Sequence, residues 1–275
     1  MENKDFDRNS EVKQIILFFL ISHGLPFLIT IILMLSEKAF YLTNQFYSNL
    51  IYFGLLSPTL AALFVLYFFF SSKERRDYWY SVIDLKRISN QWYLIIFSLP
   101  ALIRITAALL EAIRPAMQFQ FAFSPKMTLS YAIVLLFFGP IPEEMGWRGV
   151  AFPKLQNTFG FNPATIILGF MWAIWHLPLF FVEGTYQYQL GFGSSLFWSF
   201  MFGIFFTTFI YSFIYNKTNH SILAVILFHF MDNLSGETFI INVNALIIST
   251  LLRGIIAFFI FFYYKTTTKK FEASS

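Results

Sequence analysis

Cysteine is absent from the 275 residues, which excludes disulfides, thiolate metal sites and a cysteine nucleophile. That absence leaves the compartment open, because a protein folded in lipid needs no cross-links. Charge is nearly as scarce. Only 12% of residues are Asp, Glu, Lys or Arg, where an ordinary soluble domain carries about 25%. Histidine occurs four times. No internal repeat, low-complexity tract or linker divides the chain, so residues 1–275 read as one domain. The basic stretch from Ser71 to Asn90 is the longest polar piece and reads as a topology determinant, not as a nucleic-acid site.

What is abundant is apolar surface: 57% of residues are hydrophobic and 39 are Phe. A water-soluble fold of this length cannot hide that much behind a polar shell. Lipid is the solvent that fits. A spanning helix needs about 20 mostly apolar residues, and runs of that kind predict eight spans near 14–35, 47–70, 91–113, 129–150, 162–182, 195–215, 220–235 and 238–264. The runs are apolar all round instead of alternating, which argues against barrel strands. The expected fold is an all-α polytopic transmembrane bundle. The first run is too long for a signal-peptide core and lacks a small-residue cleavage site, so it reads as a retained span.

Charge segregation supports the count. With eight spans, 14 of the 19 basic residues fall on the side of the termini, and Lys38, Arg114 and Lys126 fall on the other. Arg104 and Arg253 lie within spans. The positive-inside bias then places both termini in the cytoplasm, and the expected location is a bacterial cytoplasmic membrane.

An ionisable residue inside a span costs about 2.5–3.5 kcal/mol at the membrane centre and is a functional candidate by default. Three groups stand out. Gly139-Pro140-Ile141-Pro142-Glu143-Glu144-Met145-Gly146-Trp147-Arg148 sets two carboxylates where paired prolines should break and restart a helix. Glu144 and Arg148, four apart with the acid first, suit an ion pair, while Glu143 points about 100° away. Trp172 precedes His176 by one turn, and His229 and Asn233 share a helix face. Measured along their helices, the three groups converge on one buried chamber, expected to face the cytoplasm. Asp232 faces elsewhere and is expected to support. Arg253 and Arg104 are secondary candidates: Arg253 is read as snorkelling or pairing with an internal acid ahead of recognising a substrate carboxylate, and His23 and His220 are read as structural.

The ordered set EExxxR, aromatic-xxx-His and HxxxN, carried by Glu143, Glu144, Arg148, Trp172, His176, His229 and Asn233, resembles the CAAX protease and bacteriocin-processing (CPBP, or Abi) family of intramembrane endopeptidases. The resemblance covers residues 129–235. Trp172 stands where the family usually has Phe. The eukaryotic branch removes the last three residues of prenylated CAAX proteins, and bacterial relatives are linked to bacteriocin maturation and immunity. The resemblance implies hydrolysis of a peptide bond in a membrane-associated or lipidated substrate. With no cysteine, Glu143 and His176 are expected to activate water, His229 and Asn233 to hold the oxyanion, and Glu144, Arg148 and Trp172 to support them. Zinc on Glu143, His176 and His229 is the open alternative, although the HExxH helix of soluble zinc proteases is absent. The competing classes are a catalytically silent immunity or scaffold protein, and an ion-coupled transporter that would be expected to show an inverted repeat.

Overall fold

The computed structural model describes residues 7–39, 44–113, 121–124 and 128–272. Helix α1 (Arg8–Ala39) is followed by α2 (Asn44–Leu55) and α3 (Ser57–Phe69), which meet at a bend of 46°. Next come α4 (Ser72–Ile83) and the long α5 (Asn90–Ala112). A strand β1 (Phe121–Phe123) precedes α6 (Leu129–Phe138), α7 (Pro140–Gly146) and α8 (Phe152–Phe159). Helix α9 (Phe161–Trp175) leads through a 3-10 turn into the short α10 (Tyr186–Leu190). The chain ends with α11 (Ser195–Lys217), α12 (Ile222–Thr238), strand β2 (Phe239–Ile241) and α13 (Val243–Glu272).

Among the described residues, α1, α5, α11, α13 and α9 with its 3-10 extension are long and apolar enough to cross a membrane, and bent α2–α3 makes a sixth. The helices lie where the hydrophobic runs predict them, and the chain is a polytopic all-helical bundle. The fourth and seventh expected spans are the exceptions in length. Residues 129–150 do not form one helix: Gly139 adopts φ −124°, ψ −92°, and α7 restarts on Pro140 and Pro142. A π turn at Trp147–Ala151 then leads into α8. Proline lacks the N–H that would continue α6, so the break is local in origin. The seventh, α12, has only 17 residues.

The basic stretch after Phe70 folds as α4, whose Ser71–Glu74 capping box satisfies donors at both positions. Strands β1 and β2 pair antiparallel, Phe121 opposite Ile241, a two-stranded ribbon too short to leave a pattern in the sequence. Lys4, Arg114 and Lys126 of the charge tally lie outside the described residues.

The core is densest where α7 and the π turn enter the bundle between α3, α9 and α12. Gly146 permits that entry, since a Cβ there would lie 2.5–2.7 Å from Pro58. Trp147, Arg148 and Glu144 are sealed from solvent. Apolar side chains of α1, α5, α6 and α13 stay exposed on the outer faces, including Leu20, Leu94, Leu129 and Phe259. That outward apolar shell is the surface a bilayer covers.

Candidate active site

The two carboxylates of α7 diverge as the helical geometry predicts. Glu144 accepts both contacts from Arg148 Nη1, at 3.1 and 3.0 Å. It also accepts from His229 Nδ1 at 2.9 Å. Arg148 is clamped between two rings, with its guanidinium carbon 4.7 Å from the Trp172 ring centre and 4.9 Å from that of Tyr211. A cation stacked on aromatic faces is held without using its N–H groups. Arg148 Nε and Nη2 accordingly have no hydrogen-bond partner.

Glu143 turns the other way and accepts from the Trp172 indole N–H at 2.6 Å. From the sequence, Trp172 is expected to support the site and hold the His176 ring one turn away. The structure makes it the link between motifs: its indole bonds Glu143, and its carbonyl accepts from His176 Nδ1 at 2.8 Å. The signal was the substitution itself, because Trp carries a donor that Phe lacks.

Those bonds fix both histidine tautomers. A carbonyl only accepts, so His176 carries its proton on Nδ1, and its Nε2 is left as a lone pair. His229 likewise gives Nδ1–H to a carboxylate already paired with Arg148, leaving Nε2 without a hydrogen-bond partner among the described residues.

A cavity of about 220 Å³ is lined by Glu143 and His176 together with Ile51, Leu55, Phe138, Trp175, Leu179, Thr185 and Gln187. His229 and Asn233 are not part of its wall. His229 is buried behind it, 5.5 Å from Trp172 ring to ring. Asn233 lies against Gly139, where a Cβ would meet its Nδ2 at 3.4 Å. The cavity walls run toward α10 and the turn after α9. These lie at the end of the bundle opposite the basic α4 and the Lys154 and Lys217 ends of α8 and α11. The expected cytoplasm-facing chamber and the positive-inside bias therefore point in opposite directions: if the basic loops face the cytoplasm, this cavity reaches away from it.

Among the described residues, no three His, Asp or Glu side chains converge to hold an ion. Zinc on Glu143, His176 and His229 finds no preformed three-ligand site.

Arg253 and the two other histidines have protein partners. Arg253 meets Asp232 through two bonds of 2.6 Å and donates to Thr207 at 2.8 Å, and Tyr211 donates to Asp232 at 3.2 Å. Arg253 is thus an internal partner, with its carboxylate supplied by the protein. His23 bridges α1 to α9 through the Met171 carbonyl at 2.8 Å. His220 packs on Tyr215 at a left-handed residue before α12.

Residues 125–235 match the family model described as "Type II CAAX prenyl endopeptidase Rce1-like". The CAAX prenyl protease 2 of Methanococcus maripaludis is 31% identical over 203 residues, spanning 72% of this chain and 74% of the relative. The matched region holds α7, α9 and α12, the three helices that carry the site. With motifs, matched region and relative in agreement, the chain belongs to the CPBP family of type II CAAX prenyl endopeptidase-like membrane proteins.

Proposed function

We propose that this protein hydrolyses a peptide bond near the C-terminus of a prenylated or otherwise lipidated peptide, using a water activated by Glu143 and His176. The observation that carries the reading is the pair of unspent proton acceptors on one cavity wall: the second oxygen of Glu143 and Nε2 of His176.

Water held between them attacks the scissile carbonyl carbon, and its proton passes to Glu143. The carbonyl π electrons move to oxygen. Collapse of that intermediate breaks the C–N bond, and the proton taken from water reaches the departing amine, with His176 as relay. The products are a new carboxylate and a free amine. His229 donates to the oxyanion through Nε2 as imidazolium, because its Nδ1–H is committed to Glu144. Asn233 supplies a second donor when substrate draws its amide from Gly139 toward the carbonyl. Such donors contribute about 3–4 kcal/mol each. Glu144 and Arg148 hold His229 in place and neutralise each other.

The termini are assigned to the cytoplasm on the charge bias, and substrate then approaches from the bilayer or the opposite face.

The test is purified protein in nanodiscs with an S-farnesyl-cysteine peptide carrying three further residues, the products identified by mass spectrometry. Cleavage by the wild type and none by Glu143→Gln is the expected result. Equal cleavage by Glu143→Gln overturns the assignment. Peptide bound but uncut by the wild type returns the binding-only, immunity-type function.

A further inference from the structure

Arg104 is an intramembrane cation with hydrogen-bonding capacity left over, and unlike Arg148, which is sealed from solvent, it is only partly buried. It sits 14 residues into α5, about 21 Å along the helix. Its Nε donates to the Ser235 carbonyl at 3.1 Å and its Nη2 to that of Gly236 at 2.6 Å, the two carbonyls lying near the C-terminal end of α12. Its other amine, Nη1, makes no hydrogen bond among the described residues and is not among the sealed polar atoms. Arg253, the other arginine in this electrostatic neighbourhood, is neutralised by the Asp232 carboxylate through two bonds and also donates to Thr207. Glu237 and Tyr186 lie within electrostatic reach of Arg104, but Glu237 is exposed, interacts with Tyr131 and forms no ion pair with it.

Position gives this cation a meaning. His229, Asn233 and Gly236 follow one another at i, i+4 and i+7 on α12, so they form a single stripe. Arg104 Nη2 stands 3.4 Å from where a Cβ on Gly236 would be, at the end of that stripe. Seven helical residues advance about 10 Å, and an extended peptide covers that distance in about three residues at 3.3–3.6 Å each. A carbonyl reacting beside His229 and Asn233 therefore brings a group roughly three residues downstream to the guanidinium. On a peptide that ends there, that group is the terminal carboxylate, an anion that a guanidinium N–H binds through a charge-assisted hydrogen bond.

We infer that Arg104 is a specificity-determining residue that binds the free C-terminal carboxylate of the substrate and so sets the length of the released fragment. The inference rests on the protease reading above. Binding is through Nη1, while Nε and Nη2 keep the guanidinium fixed on α12.

The experiment uses full-length protein in nanodiscs and two S-farnesyl-cysteine peptides of one sequence, ending three residues after the cysteine as a free acid or as an amide. A third peptide carries two extra residues before its free carboxylate. The wild type should favour the three-residue acid over the amide and over the longer acid by about tenfold or more in kcat/KM, mainly through KM. In Arg104→Gln the acid-to-amide ratio should fall to about one. The ratio is read within each preparation, so the fraction of folded protein cancels. Should Arg104→Gln fail to fold, Arg104→Lys keeps a cation on α12 but loses the fixed fork, and its ratio should drop several-fold. A wild-type ratio near one, or an unchanged ratio in the variant that folds, overturns the inference while leaving the protease intact. Failure of the wild type to cut any of the peptides overturns both.

Discussion

Two buried ionic clusters lie side by side in this bundle, sharing Tyr211. In one, Asp232 and Arg253 spend their charges on each other, with Thr207 and Tyr211 filling remaining positions. In the other, Glu144, Arg148 and His229 form a comparable network, but it lies beside Glu143 and His176, which line a cavity. Asp232 and Arg253 keep 10% and 17% of their side-chain surface exposed, whereas Glu144 and Arg148 are sealed and adjoin Glu143, which lines the cavity. Burial of charge alone does not mark an active site in a membrane. What sets the second cluster apart is the cavity that Glu143 and His176 line beside it.

The sharpest way to break the comparison is at its most open member. Glu143→Gln removes the base while keeping the shape and an acceptor for Trp172. Turnover should fall by about 10²–10⁴-fold, with thermal unfolding in detergent little changed. A large loss of stability instead would place Glu143 with the structural cluster.

Next in size is Glu144→Ala, which strands Arg148 among apolar and aromatic neighbours. Removing one partner of a buried pair destabilises by about 3–5 kcal/mol, so thermal midpoint and membrane yield should both drop. Asp232→Ala should lower both in the same direction by less, because Asp232 and Arg253 keep 10% and 17% of their side-chain surface exposed. The clusters part company in the double variants. Replacing Asp232 and Arg253 together with Leu should recover much of the stability, because a buried pair is often replaceable by apolar groups. Turnover per folded molecule should persist. The corresponding Glu144 and Arg148 double variant should stay inactive even where it folds, since His229 loses its acceptor. Full activity in that double variant would show that both clusters are structural.

The smallest effect is expected for Trp172→Phe. It keeps the aromatic stack on Arg148 and deletes one hydrogen bond to a carboxylate, a contribution of about 1.5–3 kcal/mol. A drop in kcat of roughly tenfold or more with KM unchanged fits the indole's role. Unaltered kcat would mean the indole only packs.

The membrane character, the positions of the helices and the break at Gly139-Pro140 were legible in the chain, as were the candidate polar groups. So was the Glu144–Arg148 pair, four residues apart on one helix. Arg253 was expected to pair with an internal acid, but which acid was not legible, nor was the role of Arg104. Asp232 lies 21 residues from Arg253 on another helix, beyond the reach of any local spacing. The bond from Trp172 to Glu143 joins residues 29 apart and depends on how α9 is rotated against α7.

Sequence alone determined the solvent, the order of the helices and the places where they stop, because composition, proline geometry and i, i+4 spacing act within a few residues. Only the tertiary structure decided which polar groups are spent and which remain open, and toward which end of the bundle the cavity reaches. Those outcomes follow from the rotation and depth of helices packed against one another, which turn on contacts summed over the whole bundle.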